Sequence, residues 1–326
     1  MFSQRPHNPL IPDSLISTAA KAFAEHLKKV TEKPEDEQRW VELLQWPKLR
    51  LTGPTHGHKI KRGDRIKQLR ERLSNENPTA IIYTEPIRTP ELSGQRLERR
   101  VRHRIDAGDT RGAVRLVINE GRIIEPDITS AAALKANHPA GDGEPLNNLE
   151  STAPIEFTEQ QLRTAIEGMQ TGGAPGPDGL RPVHVKQMTG PKAADARETV
   201  MAERSKFIKL CLSGLVPPNI RHLFFGANLL AFKKKDGGLR PIAVGLILRR
   251  LTSRVACAAT REMLPNILEP IQLGVGTRGG AEIAAHATRR FLANCTGDSG
   301  IVKLDFANAF NSVNHSHIMN CVIQTY

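Results

Sequence analysis

Three side chains in this sequence have the type and setting for phosphate chemistry: Asp305, Lys234 and Arg240. Asp305 closes the run Ile301-Val-Lys-Leu-Asp, where Ile301, Val302 and Leu304 read as a buried strand; a polar turn then leads toward a helix from about Asn314. A carboxylate at the end of a buried strand can mount Mg²⁺, which takes hard oxygen ligands and leaves positions open for substrate phosphates. Two such ions activate an attacking hydroxyl and stabilise a leaving oxygen. The same position also suits a plain N-cap or turn aspartate. Lys234 and Arg240 belong to a second element. Leu229 to Phe232 form a short strand, Lys233-Lys-Lys leads to the tight turn Asp236-Gly237, and Leu239-Arg-Pro-Ile-Ala-Val244 returns. A lysine point charge beside a planar arginine fork suits a triphosphate. Lysines at a hairpin tip also serve to protect a sheet edge.

The elements around these residues are mainly helical. Leu15, Ala19, Phe23 and Leu27, then Trp40, Leu43 and Leu44, recur at helical spacing on either side of Pro34, which predicts two short helices. Ile66, Leu69 and Leu73 mark the apolar stripe of a basic helix, and Leu97, Val101 and Ile105 mark another studded with arginines. Asp109 is placed to cap a further helix through Val114, Val117 and Ile118. Residues 124–154 are acidic and rich in Pro, Gly, Ala and Asn, and Ala140-Gly-Asp-Gly-Glu-Pro reads as a linker. Thr158 with Gln161 predicts a capping box for a helix ending at Gly172-Gly173. Ala174-Pro-Gly-Pro-Asp-Gly-Leu-Arg181 is a turn whose backbone can approach another segment closely. Residues 186–215 read as helix broken near Gly190-Pro191. Residues 246–264 read as a helix with Arg249, Arg250 and Arg254 outward. The loop Gln272–Gly280 is Gly-rich but lacks the lysine of a P-loop, which excludes a Walker-type site. A helix follows over 281–292.

The totals set limits on partners. The 326 residues carry a formal charge of +12, with hydrophobic residues at 39% and aromatics at 4%, so the core is expected to be mainly aliphatic, and the charge points to a polyanionic partner, nucleic acid or an acidic membrane surface, or else serves solubility alone. The charge is uneven. Residues 1–47 carry 6 basic and 7 acidic side chains, residues 48–122 carry 18 and 9, residues 123–170 carry 2 and 8, and residues 171–326 carry 20 and 10. Two basic blocks therefore flank an acidic connector, and a shared anionic ligand would relieve their repulsion. Cys211, Cys257, Cys295 and Cys321 show no metal-ligand spacing; they suit a reducing compartment, and no disulfides are expected. His56 and His58 lack neighbouring ligands. The N-terminus shows no secretory h-region and no apolar run reaches the length of a membrane span, so the expectation is an intracellular protein without a membrane partner.

Taken together, four blocks resemble the reverse transcriptase domain of non-LTR retrotransposons: Ala-Pro-Gly-Pro-Asp-Gly-Leu at 174–180, Lys-Lys-Asp-Gly-Gly-Leu-Arg-Pro-Ile at 234–242, Gln-Leu-Gly at 272–274, and Leu-Asp-Phe-Ala-Asn-Ala-Phe-Asn-Ser-Val at 304–313. The stretch Gly-Asp-Thr-Arg-Gly-Ala-Val at 108–114 is similar to leader sequence found before such domains. The resemblance implies an α/β (α+β) fold of right-hand polymerase type. Charge and composition divide the front of the chain into a helical segment at 1–47, a basic helical region at 48–122 and a linker at 123–152, and the resemblance implies fingers at 153–300 and a partial palm at 301–326. It implies an RNA-directed DNA polymerase that works with two Mg²⁺ ions on an RNA template, a DNA primer and dNTPs, and it places the intact element in the nucleus. Asp305 stands at the family's first catalytic carboxylate, and the backbone carbonyl of Phe306 completes the metal ligation. Lys234 and Arg240 match the residues that hold the triphosphate. Phe310, with Ala309 beside it, matches the residue that excludes a ribose 2′-hydroxyl, and Gln272 lies near the nucleotide path. Asn311 stands where many relatives carry Asp. The family's second palm block, its Tyr/Phe-X-Asp-Asp hairpin and its thumb do not occur before Tyr326, so the resemblance implies that this chain alone is inactive as a polymerase. A non-catalytic nucleic-acid-binding relic is the alternative.

Overall fold

The computed structural model describes residues 10–51, 62–75, 93–106, 108–118, 123–124, 128–138, 154–234 and 237–306, with 309, 311–314, 316–318 and 320–321 beyond them. The described chain is mainly helical with one small antiparallel sheet, a mixed α+β arrangement.

The first two helices form as their apolar spacing requires. Helix α1 (Ile16–Glu32) buries Ile16, Ala19, Ala20, Phe23, Ala24, Leu27 and Val30 along one stripe. Helix α2 (Glu37–Arg50) starts at Asp36, whose carboxylate accepts the Gln38 N–H at 3.1 Å, and the Trp40 indole donates back to the Pro34 carbonyl at 2.9 Å. Helix α3 (Arg62–Ser74) packs on α2. The Arg50 guanidinium donates to the carbonyls of Arg72, Leu73 and Asn75 and so closes the C-terminal end of α3. Helices α4 (Ser93–Asp106) and α5 (Thr110–Ile118) pack against one another, with the Asp109 carboxylate accepting the Gly112 N–H at 2.9 Å as the cap of α5.

Strand β1 (Ile123–Ile124) and helix α6 (Ile128–Ala136) come next. Helix α7 (Glu159–Glu167) carries the reciprocal Thr158–Gln161 capping box that its sequence predicts. It ends at Gly168 rather than at Gly172-Gly173, because Met169 turns into the core and the Gly168 carbonyl is taken by Arg254 at 2.9 Å. Helices α8 (Pro182–Thr189), α9 (Ala196–Leu212) and α10 (Pro218–Phe224) follow, with the expected break at Gly190-Pro191. Strands β2 (Ala227–Lys233) and β3 (Leu239–Gly245) make the hairpin, then α11 (Ile247–Thr260), α12 (Leu264–Leu268) and α13 (Gly280–Asn294) complete the order.

One core joins the front of the chain to its middle. Helix α1 lies along α9, and the rings of Trp40, Phe207 and Phe224 meet at 5.4–6.0 Å, tying α2 to α9 and α10. Segment 10–51 thus shares the core of residues 157–255. The sheet runs in the order β1-β2-β3, so Ile123 and Ile124, assigned to a linker from their composition, are paired with Phe232 and Ala231. Ala140–Pro145, the centre of that expected linker, lies outside the described residues.

The expected strand at 301–305 is corrected. Residues 301–306 form neither strand nor helix, and Val302 is 80% and Phe306 76% exposed. A strand exists only with a partner to pair its backbone groups, and among the described residues none lies beside this one. No described helix is long and apolar enough to cross a membrane, and all four cysteines are free thiols.

Candidate functional site

The hairpin is the element that brings predicted site residues together. Its register pairs Phe232 with Arg240 and Lys233 with Leu239, and the Lys234 N–H donates to the Gly238 carbonyl at 2.7 Å. Side chains alternate across a strand, so Lys234 shares the face of Phe232, and Arg240 lies directly across from Phe232 on that same face. Lys234 and Arg240 are both exposed. A lysine and an arginine on one open face near a hairpin tip can receive adjacent phosphates from one ligand. Lys235 and Asp236 at the tip lie outside the described residues.

The base of the hairpin is held by the turn at 174–181. Gly176 sits so close to the β3–α11 junction that a Cβ there would stand 2.7 Å from the Leu246 Cα and 2.8 Å from the Gly245 oxygen. Only glycine permits that approach. Within the turn, Asp178 is 1% exposed and accepts the Leu180 N–H at 3.2 Å; burial pushes its carboxyl up to about 7 despite that bond. The three arginines of α11 also serve this joint. Arg249 donates to the Phe225 carbonyl at 2.8 Å, Arg250 to Ala174 at 3.0 Å and Arg254 to Gly168 at 2.9 Å. The sequence pattern turned them outward; the structure uses them as clamps between α11 and the loops it crosses, because carbonyls at the end of α7 and in the turn need donors.

A second junction has no signal in the local sequence. Arg104 Nη1 meets Asp109 Oδ2 at 2.5 Å and the Gly172 carbonyl at 3.3 Å, and a side chain on Gly172 would overlap the Asp109 carboxylate. The α4–α5 pair is thereby fastened to the loop that leads into the 174–181 turn. Arg181, also in that turn, is buried, and burial with the charge of Arg104 lowers its pKa. Asp109 is legible as a cap from local sequence; its meeting with a glycine 63 positions later is not.

The remaining predicted residues stand apart from the hairpin. Gln272 is exposed, and its Oε1 accepts the Gly274 N–H at 2.6 Å, so the side chain folds back on its own loop. Asp305 and Phe306 are exposed, Ala309 is half-buried, and Phe310 lies outside the described residues. No hydrogen bond or ion pair joins Asp305 to another described residue, and no cluster of three or more His, Cys, Asp or Glu side chains that could hold a metal occurs among the described residues. Asp305 by itself does not fit a two-ion centre, which needs several oxygen ligands to neutralise the charge and fix the geometry.

The chain matches no family model, no curated protein and no solved structure.

Proposed function

We propose that residues 153–326 are the fingers and the opening of the palm of an RNA-directed DNA polymerase of non-LTR retrotransposon type, and that the β2–β3 hairpin holds the triphosphate of the incoming dNTP. The reading rests on four blocks in the family's order, at 174–180, 234–242, 272–274 and 304–313. The observation that carries it is the hairpin register, which sets Lys234 and Arg240 on one exposed face. This chain's own contribution is to bind and orient the nucleotide and its template.

Arg240→Ala tests the assignment. Removing a charge-assisted bidentate hydrogen bond to a triphosphate weakens dNTP binding about tenfold, whereas removing one cation from a broad basic surface changes single-stranded RNA affinity by about twofold. Equal losses for dNTP and RNA, or no dNTP binding by the unaltered chain, would sink it. The exposure of Asp305 without a described carboxylate partner favours a second reading, a nucleic-acid-binding protein without catalysis. That reading predicts steeply salt-dependent RNA binding and no primer extension.

A further inference from the structure

Helix α3 is fastened to the front of the chain by two arginines. Arg65 of α3 donates to the Leu10 carbonyl at 3.4 Å. Arg50 of α2, 5% exposed, donates to the carbonyls of Arg72 and Leu73 at 2.5 and 3.3 Å and to that of Asn75. Carbonyls at a helix end lack partners within the helix, so a donor from a neighbouring element fixes that end in place. Leu69 and Leu73 are buried, and Ile66 packs beside them.

His26 stands at the same joint. A cleft of about 780 Å³ is lined by His26 of α1, by Trp46 and Arg50 of α2, and by Leu73 and Asn75 at the end of α3. The His26 and Trp46 rings lie 6.5 Å apart, and His26 Nδ1 is 2.8 Å from the Ala22 carbonyl. A carbonyl only accepts, so Nδ1 carries a proton and Nε2 is the nitrogen that titrates. The charged side chains on the cleft are Glu25 and Lys29 from α1 and Glu42 and Arg50 from α2; the end of α3 brings Leu73, Ser74 and Asn75, none of them charged. Burial holds His26 below the usual histidine range and the charges of Lys29 and Arg50 add to that, while the Ala22 bond and Glu42 act the other way. The neutral ring is thus the form that suits the closed joint.

We propose that His26 and Arg50 form a proton-operated latch: protonation of the ring sets a second cation in the cleft that holds the guanidinium, and the end of α3 comes off α1 and α2. Undocking lets water reach both cations and uncovers the stripe of Ile66, Leu69 and Leu73. Linkage gives the sign. A base whose pKa is lower in the docked state takes up a proton on undocking. Docking is therefore at full strength above the ordinary histidine value of 6.5, weakens as pH falls through it, and levels off once the docked ring is itself protonated. The latch stands apart from the polymerase reading, since it depends on no ligand.

The test is hydrogen exchange of the full chain at pH 7.5 and pH 5.5, each corrected for the intrinsic exchange rate at that pH. Backbone protection over residues 66–74 is expected to fall by about threefold or more at the lower pH, while protection over α9 holds. His26→Gln cannot titrate and is expected to show the same α3 protection at both values. Glu42→Gln keeps His26 but removes the carboxylate that favours the charged ring, so it is expected to widen the pH effect; it also covers the case that His26→Gln folds poorly. Protection over 66–74 that does not change with pH, or that falls as far in His26→Gln as in the original chain, overturns the proposal. A narrower pH effect in Glu42→Gln does the same. An equal fall over α9 would show the whole chain loosening in acid, and that result also overturns the latch.

Discussion

At the scale of single residues, Asp178 shows how far burial can move a carboxyl. Its ordinary value of 3.8 rises to about 7, because desolvation of the carboxylate outweighs the bond from the Leu180 N–H. Between roughly pH 4 and 7 the folded chain keeps a proton on Asp178 that the unfolded chain has released, so stability falls as pH rises through that window and levels off above it. Asp178→Asn keeps an oxygen for Leu180 and cannot ionise. Urea denaturation should therefore show the variant ahead of the original by a few kcal/mol at pH 8 and by nothing at pH 4. A difference that stays constant across that range would mean that Asp178 does not titrate as its burial implies. The Pro-Gly-Pro-Asp-Gly pattern announces a turn in the sequence, but not that its carboxylate is 1% exposed, since burial is set by the rest of the fold and not by the turn's own residues.

At the scale of elements, legibility followed locality. The Thr158–Gln161 capping box, the Asp109 cap and the hairpin at 227–245 depend on residues a few positions apart, and each is readable. What failed depended on distant partners. Ile301, Val302 and Leu304 have strand character, but without a neighbouring described strand they stay exposed. Ile123 and Ile124 sit in a stretch of linker composition and are strand only because Phe232 and Ala231 receive them. The α11 arginines look like a solvated face until the carbonyls of Gly168, Ala174 and Phe225 are placed opposite them. Gly176 decides how the turn and the hairpin base fit. Gly176→Ala puts a methyl against the Leu246 Cα and the Gly245 oxygen, backbone atoms that cannot rotate away. The expected cost is about 1–3 kcal/mol. Hydrogen exchange should show it as weaker protection at residues 239–250, with α1 and α2 less affected. Weakening spread evenly over the chain would show that this packing is not local to the hairpin base.

At the scale of the whole molecule, the question is whether the front helices fold as part of the rest. Trp40 and Trp46, the two tryptophans of the sequence, both lie in α2 and are buried. Most of the helix content lies elsewhere, so fluorescence and far-ultraviolet circular dichroism report on different parts of the chain. One core through α1, α2, α9 and α10 requires the two signals to change together. The weak point of that core is Arg204 on α9. It is 0% exposed, its guanidinium lies 5.7 Å from the centre of the Phe23 ring on α1, and none of its three nitrogens has a hydrogen-bond partner among the described residues. Burial lowers its pKa to about 10, and the cation–π contact offsets only part of the cost of desolvation. Arg204→Met keeps an apolar stem of similar length and removes the charge. The α1–α9 interface should then gain on the order of 1–4 kcal/mol. Because that interface joins the front of the chain to its middle, both the fluorescence and the dichroism midpoints should rise together. A rise in the tryptophan signal alone would show that α1 and α2 melt apart from residues 157–255. A fall in both would mean that Arg204 meets an acceptor beyond the described residues, and that its charge holds the front helices in place.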